Sequence, residues 1–297
     1  MLPCDRVNDY FSSRRLLVDQ RLELVARTSG APDPLAGPIG QALTSPGKRV
    51  RGVLVMAVGE AAGAKAERLV DAAAALEMIH ASSLVLDDLP SMDDALLRRG
   101  APTLHRAFGE DLAILSAVAL LNHAYGLIAA NHAALAPRRW PANVVIQRIV
   151  DAVGWDGTVA GEAVDLHSDV AALDFETLEF IHSRKTGALF VAAAAVGGML
   201  ANVHSATLQH LEVYAKNLGL AFQITDDILD VTANVEQLGK DVGKDAAKLT
   251  FVKLAGVDGA RRLAAELVET SLAAIAELPA AARPLRELAV MVRDRVS

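Results

Sequence analysis

Two acidic segments interrupt apolar runs in this chain: residues 84–94 read LVLDDLPSMDD, and residues 220–230 read LAFQITDDILD. In the second, Asp226, Asp227 and Asp230 are spaced three and four apart, so a helix would place their carboxylates on one face. Like charges on one face repel each other, and charge within an apolar helix costs free energy. Hard oxygen donors without histidine or cysteine suit Mg²⁺. The segments therefore predict a magnesium site, although a solvated helix end is the alternative for either one alone.

The surrounding sequence predicts helices. Of its 297 residues, 52% are hydrophobic and 22% charged, which excludes a disordered chain. Aromatic residues make up only 4%, and a composition rich in alanine and leucine favours helix over sheet. A helix is expected from about Leu69 to the first acidic segment, where Pro90 bends or ends it. The breaks are short, so we expect one all-α domain over residues 1–297, a bundle of roughly ten or more helices around a deep central cavity.

Charge and cysteine content exclude several classes of protein. The 29 basic and 36 acidic residues give a net charge of −7, so a nucleic-acid partner is not expected. Cys4 is the single cysteine, which excludes an intrachain disulfide and a cysteine-rich zinc site and fits a reducing compartment. No secretory signal is evident, and the longest strongly apolar run, residues 187–201, is shorter than a membrane span. We expect a cytoplasmic protein with no membrane span.

Basic residues recur beside turns and predicted helix ends. Arginine and lysine bind phosphates through forked and point-charge donors, respectively. Each group alone is a weak signal, because a basic pair is more often a solvated surface. Their alternation with the acidic segments predicts one diphosphate held through Mg²⁺ by carboxylates and a second held directly by cations. The groups are Lys48, Arg49 and Arg51; Arg98 and Arg99; Lys185, read as opening an apolar helix; and Lys240 and Lys244.

These motifs together resemble the trans-isoprenyl diphosphate synthases, also called polyprenyl synthetases, over about residues 40–255. The resemblance implies an isoprenoid synthase type I fold, usually dimeric, hence a homodimer. It also implies head-to-tail condensation of isopentenyl diphosphate with an allylic diphosphate (dimethylallyl, geranyl or farnesyl). The colinear motifs are GKRVR at 47–51, His80, DDLPSMD at 87–93, RRGAPT at 98–103, GEAVDL at 161–166, KTG at 185–187, FQITDDILD at 222–230, Lys240 and Lys244-Asp245.

The resemblance also implies a role for each matching residue. Three Mg²⁺ ions would be held by two facing sets of carboxylates, Asp87, Asp88 and Asp93 in one and Asp226, Asp227 and Asp230 in the other. Arg98, Lys185 and Lys240 would neutralise the allylic diphosphate as it leaves, and Thr186 and Gln223 would direct lone pairs toward the allylic cation. The site for isopentenyl diphosphate would be formed by Lys48, Arg51, His80 and Arg99. No covalent nucleophile is required, since charge separation is the cost to be met.

The same resemblance bears on product length. Farnesyl-forming relatives usually carry Tyr or Phe at the position of Ser82, where the ring closes the product tunnel. Serine there predicts a deeper floor and a twenty-carbon product, and residues 93–99 look like bacterial geranylgeranyl diphosphate synthases of carotenoid pathways. The chain departs from the family pattern at Gly52, where Pro is common, and at Glu162, where Gln is usual. Neither position is a direct metal or phosphate ligand.

Three alternatives remain open at this point. A farnesyl diphosphate synthase would differ only in product length. A class I terpene cyclase also uses aspartate-rich motifs, but it needs no isopentenyl diphosphate site, and Lys48, Arg51 and Arg99 argue against it. A non-catalytic partner subunit typically lacks one aspartate segment, whereas this chain has both.

Overall fold

The structure, a computed structural model, describes residues 3–168, 174–232 and 250–295. Over these residues it is almost entirely α-helical, which confirms the predicted all-α class and the predicted number of helices. The helices are α1 (Pro3–Thr28), α2 (Asp33–Thr44), α3 (Val50–Ala61), α4 (Val70–Asp87), α5 (Leu104–Phe108), α6 (Glu110–Leu135), α7 (Ala142–Val153), α8 (Thr158–His167), α9 (Phe175–His182), α10 (Ala188–Leu200), α11 (Ser205–Thr232), α12 (Phe251–Ala274) and α13 (Arg283–Asp294).

The described helices fall into two compact units. Unit 1 comprises residues 3–56 and 65–136, and unit 2 comprises residues 57–64, 137–168, 174–232 and 250–295. The single-domain organisation expected from the sequence stays a prediction.

Unit 1 is built around the packing of α4 against α6. The alanine run 72–75 of α4 is fully buried, and small side chains let the two helices approach closely. Asn131 of α6 ties the start of α4 in place, since its carbonyl accepts from the Ala72 N–H at 3.2 Å and its amide donates to the Arg68 carbonyl at 2.8 Å. As expected from Pro90, α4 ends at Asp87. The first acidic segment therefore lies at the end of a rigid, buried helix.

Unit 2 is centred on α10 and α11. Eleven of the thirteen residues of α10 are buried, and α11 packs along α10 and α12. Tyr214 of α11 is fully buried and donates a hydrogen bond to the Leu285 carbonyl at 2.7 Å, which ties α11 to α13. Ile224 and Ile228 of α11 pack in one cluster with Phe251 of α12. This packing fixes the part of α11 that carries the second acidic segment.

A short β-ribbon follows the first acidic segment. Its strands, β1 (Leu97–Arg98) and β2 (Ala101–Pro102), pair antiparallel with Arg98 opposite Ala101. Arg99 and Gly100 have φ values of 55° and 81°, the left-handed pair that a two-residue hairpin turn requires. The composition favours helix and did not predict this ribbon.

Helix α6 is, among the described residues, the one that is long and apolar enough to cross a membrane by length and composition alone. Of its most apolar 18-residue window, 39% is buried against the rest of the protein. Core helices of proteins that never enter a bilayer pass the same test. The expected absence of a membrane span stays a prediction.

Candidate active site

The first acidic segment folds back on the end of α4. After Pro90 the backbone reverses, and the Asp93 N–H donates to the Asp87 carbonyl at 2.9 Å. One step further, the Ala95 N–H donates to the Asp88 carbonyl at 3.2 Å. The intervening loop therefore brings the backbone of Asp93 back to that of Asp87, although five residues separate them in sequence.

The side chain of Asp88 is hydrogen-bonded to the ribbon. Its side chain accepts two hydrogen bonds on Oδ1 from Arg98, at 2.5 Å from Nη2 and 3.0 Å from Nε. Asp88 is only 4% exposed, and burial raises the pKa of its carboxyl although the Arg98 guanidinium opposes that shift. A buried carboxylate needs a cationic partner, and the ion pair between Asp88 and Arg98 fixes the ribbon against α4.

The second acidic segment has one buried and two more accessible carboxylates. Asp227 is 6% exposed, and it accepts hydrogen bonds from Gln223 Nε2 at 3.0 Å and from the Phe251 N–H at 3.3 Å. Burial, and to a lesser degree the neighbouring Asp226 and Asp230, raise its pKa to about 6 against the lowering effect of those hydrogen bonds. Asp230 is exposed.

Asp226 is paired with a cation that the sequence did not point to. Arg295, one residue beyond α13, donates from Nη2 to Asp226 Oδ1 at 2.6 Å, and its guanidinium lies 4.8 Å from the centre of the Phe222 ring. The sequence signal was a lone arginine near the chain end, which carries no motif. Asp226, a predicted metal ligand, is therefore ion-paired in this structure.

The aspartates suit Mg²⁺ by chemistry, but they do not form a ready-made cage. Among the described residues, no three His, Cys, Asp or Glu side chains converge as a metal-binding group. Magnesium commonly takes only one or two carboxylates and completes its shell with water and phosphate oxygens. Each acidic segment therefore carries carboxylates of the kind that suits an ion arriving with a diphosphate.

A cationic cavity lies in unit 1 beside the ribbon. It has about 470 Å³ of empty space, counting the open solvent at its mouth, and its lining includes Arg49, His80, Arg98 and Arg99. His80 is partly exposed, and its removal from water together with the surrounding arginine charges, Arg51 the largest of them, lowers its pKa well below the ordinary value. At neutral pH the ring is therefore uncharged, so it can donate a hydrogen bond without adding charge.

The loop before α3 shapes this cavity. Arg49 has a φ of 51° and is buried, where it donates to Asp19 Oδ1 at 2.7 Å and to the Ser45 carbonyl at 2.7 Å. A Cβ at Gly47 would lie 2.7 Å from Arg99 Nη1, so glycine there allows the Arg99 guanidinium to approach. Lys48, between them, is exposed. Arg49 is a structural anchor rather than a free phosphate ligand.

Lys185 lies in a widened turn. Residues Ser183–Gly187 form a π-helical turn that joins α9 to α10 without interruption, so the expectation that Lys185 opens a helix was wrong. Its backbone N–H is consequently not at a free helix N-terminus. The ammonium lies 2.6 Å from Glu162 Oε2 and 2.7 Å from Asp165 Oδ2, and these carboxylates raise the pKa of Lys185 although burial lowers it. Turns of this kind are frequent at functional sites.

The next residue of the turn meets α11. Thr186 Oγ1 donates to Gln223 Oε1 at 2.9 Å, so the structure brings together two residues that the sequence predicted for one role. Lys240, predicted to bind the leaving diphosphate, and Lys244-Asp245 lie outside the described residues.

Sequence reasoning also left Glu77 unassigned. This buried residue precedes His80 by three positions on α4, and its Oε1 accepts from the Gly52 N–H at 2.9 Å. A proline at position 52 would have no N–H to donate, so the departure at Gly52 supplies the hydrogen bond that holds Glu77. The signal that could have found it is the i, i+3 spacing of two polar residues in an otherwise apolar helix.

Comparison with known proteins decides the family. The family described as Polyprenyl synthetase matches residues 32–281. The chain belongs to the polyprenyl synthetase family. It is therefore a prenyltransferase, and the resemblance stated from its motifs is confirmed.

Relatives of this polyprenyl synthetase carry names that differ in product. It is 41% identical over 290 residues to a dimethylallyltranstransferase from Fischerella ambigua, covering 97% of this chain and 83% of the relative. It is 38% identical over 288 residues to a geranylgeranyl diphosphate synthase from Cyanophora paradoxa, covering 93% and 94%. Among solved structures, an FPP/GFPP synthase from Zymomonas mobilis matches with a TM-score of 0.83 and 30% identity over 97% of this chain and 99% of that one.

Proposed function

We propose that the protein is a geranylgeranyl diphosphate synthase, which adds isopentenyl diphosphate head to tail to an allylic diphosphate. The observation that carries the product length is Ser82. Its hydroxyl donates to the Ala117 carbonyl of α6 at 2.8 Å, and the residue is 3% exposed. A small, hydrogen-bonded side chain at this place leaves room for a longer chain than an aromatic ring would. The Cyanophora relative carries the same activity in its name.

The chemistry requires that an allylic diphosphate departs and leaves a carbocation. Arg98 and Lys185 supply fixed positive charge for the departing anion, which is electrostatic stabilisation of developing charge. Asp87, Asp93 and the second acidic segment are proposed to hold Mg²⁺, which would supply further positive charge for the diphosphate oxygens. Asp88 acts by holding Arg98 rather than by facing the ligand.

Thr186 and Gln223 are suited to the cationic side of the reaction. The Thr186 hydroxyl donates its hydrogen to Gln223, so the lone pairs of its oxygen are available to a developing cation. An apolar product tunnel, as the family resemblance implies, would exclude the water that otherwise hydrolyses the cation. The isopentenyl double bond attacks the cation, and the released diphosphate accepts the final proton.

Isopentenyl diphosphate is proposed to bind through Lys48, Arg51, His80 and Arg99. The neutral ring of His80 supplies a hydrogen bond where arginines already supply charge. This division explains why a histidine lies among cations. Lys240 is proposed for the leaving diphosphate, as its family position implies.

A homodimer is proposed from the surface of α6. Ile114, Leu115 and Val118 are exposed by 43%, 54% and 60% and share one face of this helix. Exposed apolar side chains at helical spacing are typical of a subunit interface. Light scattering after gel filtration should give twice the mass of the 31.3 kDa chain, and Val118→Glu should lower it to the monomer. We propose a cytoplasmic location for this dimer.

The test of the activity is product sizing. Purified protein is incubated with Mg²⁺, labelled isopentenyl diphosphate and farnesyl, geranyl or dimethylallyl diphosphate, and the prenyl alcohols released by phosphatase are sized by mass spectrometry. We expect twenty carbons, lost with EDTA and in Asp87→Ala but retained in Asp258→Ala, which removes a carboxylate that is 86% exposed. Fifteen carbons from the geranyl and dimethylallyl primers, with farnesyl diphosphate left unextended, would support a farnesyl diphosphate synthase. No elongation from any primer would support a partner subunit.

A further inference from the structure

Two carboxylates contact the single ammonium of Lys185, so the negative charge beside it exceeds its own positive charge. Its ammonium contacts both Glu162 and Asp165, at 2.6 and 2.7 Å, and the Glu162 side chain is 10% exposed. Two carboxylates and one ammonium leave the three side chains with a net charge of −1. One carboxylate alone would satisfy the lysine charge, so the second repels any anion that approaches it.

The main chain of Lys185 is held in place by close contact with the backbone of α8. A Cβ at Gly161 would lie 2.3 Å from the Lys185 backbone nitrogen, so α8 and the π-helical turn are in direct contact there. Glu162 follows Gly161, and Asp165 follows one helical turn later. The lysine side chain can still change partners, by rotating its four-carbon stem.

From this arrangement we infer that Glu162 is a positioning residue that acts through Lys185. It competes with the allylic diphosphate for the ammonium, and so weakens diphosphate binding and speeds release of the product diphosphate. The inference rests on the proposed function, in which Lys185 neutralises that diphosphate. Asp165 alone suffices to orient Lys185, whereas Glu162 sets how firmly the lysine is retained.

The test replaces the carboxylate without changing its size. Glu162→Gln keeps the shape and one hydrogen-bond acceptor, and Glu162→Met keeps only the shape. Binding of inorganic pyrophosphate with Mg²⁺ is measured by calorimetry, and KM for farnesyl diphosphate and kcat are measured separately. We expect both variants to lower the Kd for pyrophosphate and the KM by about three- to tenfold, as removal of one nearby, partly screened charge should do. The value of kcat should be unchanged or lower, since release becomes slower.

The control is Glu212→Gln, which removes an ion-paired carboxylate of the same unit, 2.9 Å from Arg148. It should leave KM and the Kd for pyrophosphate at the wild-type values. The tighter binding of pyrophosphate by the Glu162 variants should also become weaker as the salt concentration is raised, because it is electrostatic. If Glu162 had only a structural role, its replacement would change thermal stability but would not lower KM while leaving kcat unchanged or lower.

Two results would count against these conclusions in different ways. If the wild type elongates its primer and folded Glu162 variants bind pyrophosphate no more tightly than wild type, Glu162 does not compete with the ligand and the inference is wrong. If the wild type neither elongates a primer nor binds pyrophosphate, the proposed function itself fails and the inference fails with it.

Discussion

Thr186 and Gln223 lie 37 positions apart and are joined by a hydrogen bond of 2.9 Å from the threonine hydroxyl to the glutamine carbonyl. The amide of Gln223 in turn donates to Asp227 at 3.0 Å. Both ends of the glutamine are therefore engaged, which fixes the orientation of its amide. The contact connects the π-helical turn to the second acidic segment and makes the two positions interdependent.

Thr186→Val should disrupt this connection. Valine keeps the shape but cannot donate, so the Gln223 carbonyl loses its partner and its amide can turn. We expect a loss of about 1 kcal/mol in unfolding free energy, typical of one such hydrogen bond. We expect kcat to fall by about tenfold or more if the hydroxyl faces the cation. Thermal unfolding and single-turnover kinetics measure the two effects.

Thr270→Val is the matched control. Its hydroxyl donates to the Glu266 carbonyl within α12, on the exposed side of the helix. Its removal should leave kcat unchanged. Equal losses of activity in the two variants would show that the Thr186 hydroxyl has no special role.

The sequence predicted the helical class and the ends of α4 because both depend on local signals. Alanine and leucine content, the apolar run before Asp87 and the helix-ending Pro90 act within a few residues. The pairing of Thr186 with Gln223 was predicted only as a shared role, through the family resemblance. Their contact depends on how the π-helical turn packs against α11, which no local pattern encodes.

Long-range ion pairs were not predictable. Arg295 meets Asp226 across 69 positions, and nothing near the end of the chain marks it. Lys185 was predicted to open an apolar helix, whereas α9 continues through the turn as a π-helix. A glycine is a frequent helix breaker, but here φ at Gly187 is −64° and the helix is unbroken.

Asp227→Asn should show how much the buried carboxylate lowers the free energy of unfolding. The pKa of Asp227 is about 6 in the folded chain against an ordinary value of 3.8. Below pH 4 both states hold the proton and the carboxyl costs nothing. Between pH 4 and 6 the unfolded chain loses its proton first, so stability falls as pH rises.

The measurement is urea unfolding of both proteins in EDTA between pH 4 and 8. The unfolding free energy of Asp227→Asn should gain on that of wild type by about 2 kcal/mol from pH 4 to pH 7, as the linkage relation requires for such a shift. If the difference in unfolding free energy between the two proteins does not change with pH, burial does not raise the pKa of Asp227.

Gly161→Ala should separate α8 from the turn that carries Lys185. The new methyl group would meet the Lys185 backbone nitrogen at 2.3 Å, which neither helix can absorb without moving. We expect a loss of about 2 kcal/mol or more in stability, as for overpacking against backbone, together with weaker binding of the allylic diphosphate. Gly126→Ala on α6 is the control, since nothing lies within 4 Å of its new Cβ. That variant should gain up to about 1 kcal/mol from helix propensity.

Asp87 and Asp88 should respond differently to the same change. Asp88→Asn weakens the paired hydrogen bonds of Arg98, so we expect a loss of about 2 kcal/mol in stability even without metal. Asp87→Asn should raise the Mg²⁺ concentration needed for half-maximal rate. Thermal unfolding in EDTA and a magnesium titration of the rate distinguish the two. Equal behaviour in both assays would contradict the separate roles.

Ser82→Phe should shorten the product and weaken the packing of α4 on α6. The ring replaces a buried hydroxyl that donates to the Ala117 carbonyl, so the site must absorb a much larger side chain. We expect a cost of about 1–3 kcal/mol in stability and a shift of the main product from twenty to fifteen carbons. Ser82→Ala removes only the hydroxyl and should keep the twenty-carbon product at a cost of about 1 kcal/mol. If Ser82→Phe folds and still makes twenty carbons, the floor of the tunnel is set elsewhere, and Ser82 does not limit chain length.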